Sequence, residues 1–335
     1  MPDRQRAERT ARDGRDHGGT RVKVVLHTAA GPGLAARLAG FAAEGLAFTV
    51  CPEADEAGFA AAMRDAEVLW HVLKPCTAAV IAGAPRLRLI QKIGTGVNTI
   101  DLDAARARGI AVCNLPGSNA PAVAEMTLLL MLAALRRLPL LDRATRAGRG
   151  WALEAALQDS FCELGGRTVG LVGYGAIPRA LAPLLRAFGC RILYAARAEK
   201  PDALGAFRAL PDLLAESDIV SLHLPLTADT ARLIDAAALA RMKPGAVLVN
   251  TARGGLVDQA ALVAALAGGQ LAAAGLDVFA DEPLPPDEPL LRLDNVVLAP
   301  HVGWLTGGTF DRSFALAAEN CRRLRDGRNL LNRVV

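Results

Sequence analysis

The feature that most constrains the fold is a repeated alternation of short apolar strands with helix-length segments. It is clearest where the strand Thr168–Val172 leads into Gly173-Tyr174-Gly175. A helix is predicted over Ile177–Phe188, and Arg191–Tyr194 is predicted as the next strand. A strand, a helix and a second strand in this order form a parallel, right-handed crossover. The chain is therefore predicted to be an α/β protein built on parallel sheets.

The same alternation is found in both halves of the chain. Other strands are predicted at Val22–Leu26, Glu67–Trp70, Leu87–Ile93, Ile110–Val112, Ile219–Leu222, Ala246–Asn250, Ala273–Val278 and Asn295–Leu298. Long helices are predicted at Pro121–Arg137 and Phe314–Arg325. The length of 335 residues is enough for two domains. Because the last helix is amphipathic, we expect it to pack back on the first domain and complete it.

Composition excludes several classes of protein. A hydrophobic content of 52% with 21% charged residues is typical of a globular chain. The longest apolar stretch, Met126–Leu135, is too short to span a bilayer, so no membrane partner is expected. The six cysteines lack metal-type spacing, which predicts free thiols in a reducing cytoplasm and no metal site.

The first twenty residues are rich in arginine and lack an apolar run. That pattern excludes a signal peptide and predicts a disordered tail over residues 1–20. A nucleic-acid-binding arm is the alternative. It is disfavoured because acids are interspersed and no aromatic residues accompany the arginines, so no nucleic acid is expected as a partner.

The glycine turn after the strand at 168–172 predicts a dinucleotide site. Gly173 permits the tight turn, and Gly175 lets the backbone approach a pyrophosphate. Ala176 and Ile177 open the following helix, whose free N–H groups attract phosphate. Pro178 replaces the third glycine of the usual pattern and is tolerated in a first helical turn. A tight turn without a ligand is the alternative.

The end of the next strand bears on the choice of cofactor. NAD sites usually place an acid there to hold the ribose hydroxyls. Here the strand ends in Ala195-Ala196-Arg197, with no acid. Arg197 can pair with a 2′-phosphate, so NADP(H) is favoured over NAD(H). In the alternative, Arg197 is only a solvated charge.

Three residues of the second half are predicted to act together. Arg253, Glu282 and His301 each lie at or just beyond the carboxyl end of a candidate strand. That edge of an open α/β sheet is where ligands bind. A cation, an acid and an imidazole suit proton transfer on an anionic carbonyl compound. Taken singly, each residue also has a structural explanation, as a sheet-edge cap, a turn acid or a polar residue with satisfied hydrogen bonds.

With these motifs in one order, the chain resembles the D-isomer-specific 2-hydroxyacid dehydrogenase family over residues 68–325. Further motifs that carry the resemblance are Gly94–Asp101, Asn114–Asn119 with Val123-Ala124-Glu125, Ser221–Pro225, Met242–Gly245 and Pro300–Gly303.

The resemblance implies a role for each matching residue. His301 is the catalytic acid/base, Glu282 its hydrogen-bonded carboxylate and Arg253 the residue that binds the substrate's carboxylate and carbonyl. The substrate loop is implied at Thr95 and Gly96. Cofactor contacts are expected at Ile177, Leu224, Pro225, Thr230, Thr251, Ala252, Asp277 and Gly303.

Two positions are expected to shape the substrate pocket. Lys74 lies where the family has a substrate-facing loop, and an ordinary exposed lysine is the alternative. Trp304 stands where the family often has small residues, and packing in the domain hinge is the alternative.

The resemblance also implies two Rossmann-like domains and a homodimer. Residues 21–117 and 302–335 are expected to form the substrate-binding domain, and residues 118–301 the dinucleotide-binding domain. The expected function is hydride transfer between NAD(P)H and a small 2-keto or D-2-hydroxy acid. The alternatives are a dinucleotide-sensing regulator of the corepressor type, or a dehydrogenase of formate or phosphite. The formate branch is disfavoured because it carries glutamine where Glu282 stands.

Overall fold

A computed structural model describes residues 21–335, so the predicted N-terminal tail lies outside the described residues. The chain divides into two compact units. The first contains the described residues up to Ile93, together with Thr99–Asn114 and Ala315–Val335. The second contains Gly94–Asn98 and Leu115–Phe314. The domain limits given above stay a prediction.

The first unit is built on a five-stranded parallel sheet. Its strands are β1 (Val22–His27), β2 (Leu46–Cys51), β3 (Val68–His71), β4 (Leu89–Lys92) and β5 (Ala111–Cys113). They lie in the order β2-β1-β3-β4-β5. The helices of this unit are α1 (Pro32–Gly40), α2 (Glu56–Met63), α3 (Ala78–Ala82) and α4 (Leu102–Ala107).

Strand burial and helix capping explain why these residues form these elements. All four residues of β3 are buried, as expected for a central parallel strand covered on both faces. Asp55, Thr77 and Asp101 cap the three helices α2, α3 and α4, each accepting a hydrogen bond from a first-turn N–H.

The second unit is built on a seven-stranded parallel sheet. Its strands are β6 (Thr168–Val172), β7 (Arg191–Ala195), β8 (Ala206–Phe207), β9 (Ile219–Leu222), β10 (Ala246–Asn250), β11 (Leu271–Leu276) and β12 (Val296–Leu298). Its helices are α5 (Ala120–Leu135), α6 (Leu138–Arg146), α7 (Ala155–Gln158), α8 (Ala176–Ala187), α9 (Leu210–Glu216), α10 (Ala236–Arg241) and α11 (Gln259–Ala267). A last helix, α12 (Gly307–Arg325), continues into the first unit.

The strand order in the second unit is β12-β11-β10-β9-β6-β7-β8. Strand β6 lies between β7 and β9, so the chain reverses its direction of progress across the sheet there. Such a switch point leaves a crevice outside the carboxyl ends of the strands. The expected α/β class with two parallel sheets is confirmed.

The C-terminal helix completes the first unit, as expected. It begins at Gly307, seven residues before the predicted start. In its second half, the Asn320 side-chain amide donates to Gln91 Oε1 at 2.7 Å, and both groups are buried. This buried bond ties the end of the chain to β4.

Several boundaries differ from the predictions. The helix predicted to reach Arg137 ends at Leu135, and Arg137 takes a left-handed conformation with φ of 51°. Strands β2 and β8 were not predicted. The short apolar run of β2 cannot be told from a helix segment by periodicity alone, and β8 has only two residues. Within residues 21–335, no helix has the length and apolarity needed to cross a membrane.

Candidate active site

Three neighbouring strands of the second unit carry the predicted catalytic residues at their carboxyl ends. Arg253 follows β10, Glu282 follows β11 and His301 follows β12. The structure brings two of them into direct contact, because His301 Nδ1 lies 2.7 Å from Glu282 Oε2. The Arg253 charge acts on Glu282 as well.

The carboxylate determines which nitrogen of His301 carries the proton. Burial alone raises the pKa of Glu282, but hydrogen bonds from His301 and the Phe279 N–H, with the charges of His301 and Arg253, lower it overall. An ionised carboxylate only accepts hydrogen bonds, so Nδ1 is the donor. Within the described chain, Nε2 has no hydrogen-bond partner. Nε2 is therefore the atom that can exchange a proton with a ligand.

The backbone around His301 is held in an unusual conformation. His301 has φ of 56°, in the left-handed region. The two oxygens of Asp277 accept hydrogen bonds from the Val302 N–H at 2.9 Å and the Gly303 N–H at 2.8 Å. Trp304 Nε1 donates to the His301 carbonyl at 3.1 Å. These bonds stabilise the turn that presents the imidazole.

Asp277 was predicted as a cofactor contact, and the structure places it beneath this turn. It is 2% exposed, and burial raises its pKa although both backbone N–H bonds oppose the shift. Trp304 was predicted to shape a substrate pocket. Besides its bond to His301, it packs edge-on against Phe310, with ring centroids 5.7 Å apart.

Arg253 lies against the loop at Gly94–Asn98. Its Nε donates to Asn98 Oδ1 at 3.2 Å, and its Nη1 donates to the Ala252 carbonyl at 2.6 Å. A Cβ on Gly96 would collide with the guanidinium. Burial lowers the pKa of Arg253, while the Glu282 charge opposes that shift. The predicted substrate-loop residue Gly96 and Arg253 are thus in contact.

Two asparagines of this region were not predicted. Asn98 binds Arg253, as described above. Asn250 Oδ1 accepts from the Ala252 N–H at 3.0 Å, and its Nδ2 donates to the Arg253 carbonyl at 2.9 Å. An asparagine at the end of a buried strand favours such a turn, and that signal is present in the sequence.

Two other predicted residues, one in the loop after β10 and one in the Gly94–Asn98 loop, have hydrogen-bond partners close by. Thr251 is buried, and its hydroxyl lies 2.9 Å from the Thr127 hydroxyl of α5. Thr95 is exposed, and its hydroxyl lies 3.4 Å from the Leu115 carbonyl. Thr251 and Ala252 connect the end of β10 to Arg253, and the Thr251 hydroxyl anchors this connection to α5.

The glycine turn has the geometry that a bound pyrophosphate needs. Gly173 has φ of 99°, and a Cβ there would lie 2.7 Å from the His223 carbonyl oxygen. Gly175 precedes α8 and faces open space, with no atom within 4 Å of a Cβ built on it. No side chain caps α8, so the N–H groups at Ala176 and Ile177 remain available to a ligand.

The loops after β7 and β9 flank this turn. The Gly173 N–H donates to the Ala195 carbonyl at 2.8 Å, which places Arg197 two residues from that bond. Arg197 is exposed. Leu224 packs against Gly173. The Thr230 hydroxyl donates to the Pro225 carbonyl at 2.7 Å and stabilises the loop after β9.

Lys74 belongs to the first unit. Its ammonium group donates to the Glu53 carbonyl and to Glu56 Oε1, both at 2.8 Å. The lysine therefore has an ion-pair partner within its own unit.

Within residues 21–335, no group of three or more histidine, cysteine or acidic side chains is arranged to hold a metal ion. The open glycine, the uncapped helix and the switch point do suit a dinucleotide. Together with a histidine–carboxylate pair at the same sheet edge, they define a dinucleotide-dependent oxidoreductase.

Comparison with known proteins identifies the family within this class of oxidoreductases. The family model described as "D-isomer specific 2-hydroxyacid dehydrogenase, NAD binding domain" matches residues 128–303. Glyoxylate reductase of Aeropyrum pernix is 44% identical over 283 residues, which are 81% of this chain and 84% of that protein. The chain therefore belongs to the D-isomer specific 2-hydroxyacid dehydrogenase family and is an NAD(P)-dependent oxidoreductase of 2-hydroxy acids.

Other relatives share the family but differ in length or ligand. D-3-phosphoglycerate dehydrogenase of Mycobacterium tuberculosis is 44% identical over 249 residues, 73% of this chain, and the chain spans only 46% of it. A solved NADPH-dependent glyoxylate/hydroxypyruvate reductase of Sinorhizobium meliloti, in complex with NADP and malonate, is 32% identical with a TM-score of 0.79. That likeness covers 94% of this chain and 97% of the other. Similar structures include complexes with NADP and with NAD.

Proposed function

We propose that this enzyme reduces a small 2-keto acid to the D-2-hydroxy acid, with His301 as the acid/base. The observation that carries the proposal is the 2.7 Å bond between His301 Nδ1 and Glu282 Oε2, which leaves Nε2 free. A histidine held in this way can give its Nε2 proton to an alkoxide and recover it in the reverse direction. The bound nicotinamide would supply or accept the hydride.

Arg253 supports the step by binding and orienting the substrate. Its guanidinium is largely buried and lies against the Gly96 backbone, which has no side chain to block access. A buried cation attracts a carboxylate and stabilises negative charge that develops on a carbonyl oxygen. We assign to Arg253 and the Gly94–Asn98 loop the carboxylate end of the substrate.

Glyoxylate and hydroxypyruvate are the proposed substrates. Two relatives that this chain matches over most of their length support this choice: the glyoxylate reductase of Aeropyrum pernix and the glyoxylate/hydroxypyruvate reductase of Sinorhizobium meliloti. 3-Phosphoglycerate is not proposed as the substrate, since the chain spans less than half of the phosphoglycerate dehydrogenase relative.

NADPH is the proposed cofactor. The strand β7 ends without an acid, and Arg197 lies exposed next to the glycine turn with no ion-pair partner within residues 21–335. An exposed guanidinium can pair with the 2′-phosphate by two hydrogen bonds.

A homodimer is the proposed assembly. Three large apolar side chains on α5, α6 and the segment after them are strongly exposed: Leu129 at 52%, Leu138 at 51% and Trp151 at 95%. Exposed tryptophan and leucine close together in the chain suit a surface covered by a second copy. The six cysteines are free, which supports a reducing, cytoplasmic location.

A substrate panel with both cofactors tests the proposed function. Glyoxylate, hydroxypyruvate, pyruvate and longer 2-keto acids are each assayed with NADPH and with NADH. We expect the highest kcat/KM with glyoxylate or hydroxypyruvate and NADPH. Higher kcat/KM with NADH would contradict the cofactor assignment. Dinucleotide binding without turnover of any 2-keto acid would contradict the reaction.

A further inference from the structure

The second unit has a basic cavity at the edge of its sheet opposite the glycine turn. The cavity has a volume of about 90 Å³, several times the roughly 10–15 Å³ that one ordered water needs. It lies at the amino ends of β9, β10 and β11, next to the C-terminal end of α5. Its polar and sulfur-bearing lining residues are Arg137, Ser160, Cys162, Arg167, Asp218 and Lys243.

The charge of this lining is unbalanced. Two guanidinium groups and one ammonium group face a single carboxylate, that of Asp218. Asp218 is already neutralised, because it binds Lys243 Nζ at 2.9 Å and the Thr168 N–H at 2.8 Å. Burial alone raises the pKa of Asp218, but these bonds and the Lys243 and Arg167 charges lower it overall. The carboxylate makes its direct hydrogen bonds to Lys243 and the Thr168 N–H and none to either arginine.

Arg137 is the more unusual of the two arginines. It adopts φ of 51°, and among residues 21–335 its guanidinium has no ion pair and no hydrogen bond. It is half-buried, and burial lowers its pKa, while nearby Cys162 opposes that shift. A half-buried cation without a protein partner has lost part of its hydration without compensation, so an anion beside it would stabilise it.

Arg167 supplies the second set of free donors. Its Nε donates to the Glu163 carbonyl at 3.2 Å, and within the described chain its two terminal nitrogens make no hydrogen bond. Ser160 uses its hydroxyl proton on the Leu157 carbonyl and Lys243 uses one ammonium proton on Asp218, so the two guanidinium groups supply most of the donors left for a ligand. Guanidinium groups bind phosphate-like oxyanions with paired N–H donors.

We propose that this cavity binds a small oxyanion with the charge and size of inorganic phosphate, held by Arg137 and Arg167. The site is separate from the dinucleotide site, because one lies at the amino ends of the strands and the other at their carboxyl ends. Binding here and binding of the dinucleotide phosphates are therefore expected to be non-competitive.

Titration with inorganic phosphate tests the site. The full chain is saturated with NADPH to occupy the other phosphate-binding region, and phosphate binding is measured by calorimetry and by the shift in Tm. Sodium chloride at equal ionic strength is the reference. We expect saturable binding that raises Tm more than chloride does.

Matched variants test whether phosphate binds at Arg137 and Arg167. Arg137→Gln and Arg167→Gln should each weaken phosphate binding by roughly tenfold or more, as expected for loss of a charged hydrogen-bond donor. Arg136→Gln removes the same charge from the neighbouring exposed residue and should bind phosphate like the parent. Circular dichroism and NADPH affinity verify that each variant is folded.

Three results would overturn the proposal. In the first, phosphate has no effect beyond that of chloride. In the second, the Arg137 and Arg167 variants bind phosphate as well as the Arg136 control does. In the third, binding is lost in Arg197→Gln instead, which would place the phosphate at the dinucleotide site.

Discussion

At the scale of single residues, the proposed proton transfer depends on how His301 is held. Its left-handed backbone, the two N–H groups bound by Asp277 and the Trp304 bond to its carbonyl all determine where the ring lies. Glu282 then determines which ring nitrogen is free. The imidazole can therefore be removed without removing the structure that supports it.

We expect His301→Asn to lower kcat by about 10²–10⁴-fold while the Kd for NADPH changes little. Asparagine is chosen because it tolerates φ of 56° better than most residues do. Steady-state kinetics and fluorescence titration measure the two quantities. Unchanged kcat in a folded variant would remove His301 from the proton transfer.

We propose that Glu282 acts on the same step through its charge. Glu282→Gln keeps an oxygen that can accept from Nδ1 but loses the negative charge, so we expect kcat to fall by roughly 10–100-fold, less than in His301→Asn. Glu282→Ala loses both the charge and the hydrogen-bond acceptor, so its kcat should be lower still. Equal kcat in parent and Glu282→Gln would show that the charge has no part in turnover.

At the scale of elements, loops at the carboxyl ends of parallel strands form the site. Asn250 organises the turn after β10, and the Gly94–Asn98 loop packs against Arg253. Gly173 and Gly175 perform different tasks in the turn after β6. Gly173 is required because its positive φ and the nearby His223 carbonyl leave no room for a side chain. Gly175 meets no protein atom and leaves space for a ligand.

Gly96→Ala tests the contact with Arg253. The added methyl group would displace the guanidinium, so we expect KM for the 2-keto acid to rise by roughly tenfold or more while NADPH affinity is retained. Gly40→Ala is the matched control, because a Cβ there meets no atom within 4 Å and φ is −57°. Parent-like KM in Gly96→Ala would mean that Arg253 does not bind the substrate.

Gly175→Ala tests the space over the turn. A Cβ there meets no protein atom, so we expect Tm to stay within a few degrees of the parent. It would, however, occupy the region that a pyrophosphate approaches, so the Kd for NADPH should rise by roughly tenfold or more. Gly173→Ala should instead lower Tm, because its φ is 99° and the His223 carbonyl is close. Unaltered NADPH affinity in Gly175→Ala would place the phosphates elsewhere.

At the scale of the whole molecule, both units contain buried histidines: His27 and His71 in the first and His223 in the second. Burial lowers the pKa of His71 in the first unit and of His223 in the second to about 3. Both remain neutral in the folded chain, whereas in the unfolded chain they bind protons below an ordinary pKa of about 6.5. The stability contributed by this difference is present above pH 6.5 and is lost as the pH falls from 6.5 toward 3.

We therefore expect the free energy of unfolding to fall by up to roughly 1.4 kcal/mol per histidine for each pH unit below 6.5. Urea denaturation at pH 7, 6 and 5 measures this slope. The double variant His71→Gln, His223→Gln should be less stable at pH 7 yet show a flatter slope. The same slope in both proteins would assign the acid sensitivity to other groups.

The sequence by itself determined the α/β class and most strands, because buried parallel strands such as Ile219–Leu222 are short apolar runs that need no tertiary information. It also determined the glycine turn and the positions of Arg253, Glu282 and His301 at strand ends. Strand β2 was missed although Leu46–Cys51 contains only one polar residue, because so short an apolar run does not separate a strand from a helix segment until its pairing with β1 is seen.

Only the tertiary structure decided which residues meet. The bond from His301 to Glu282, the placement of Arg253 on Gly96 and the convergence of Arg137 and Arg167 on one cavity all join segments distant in sequence. The physical reason is that strand order and loop packing, rather than local propensity, bring such side chains within hydrogen-bond range.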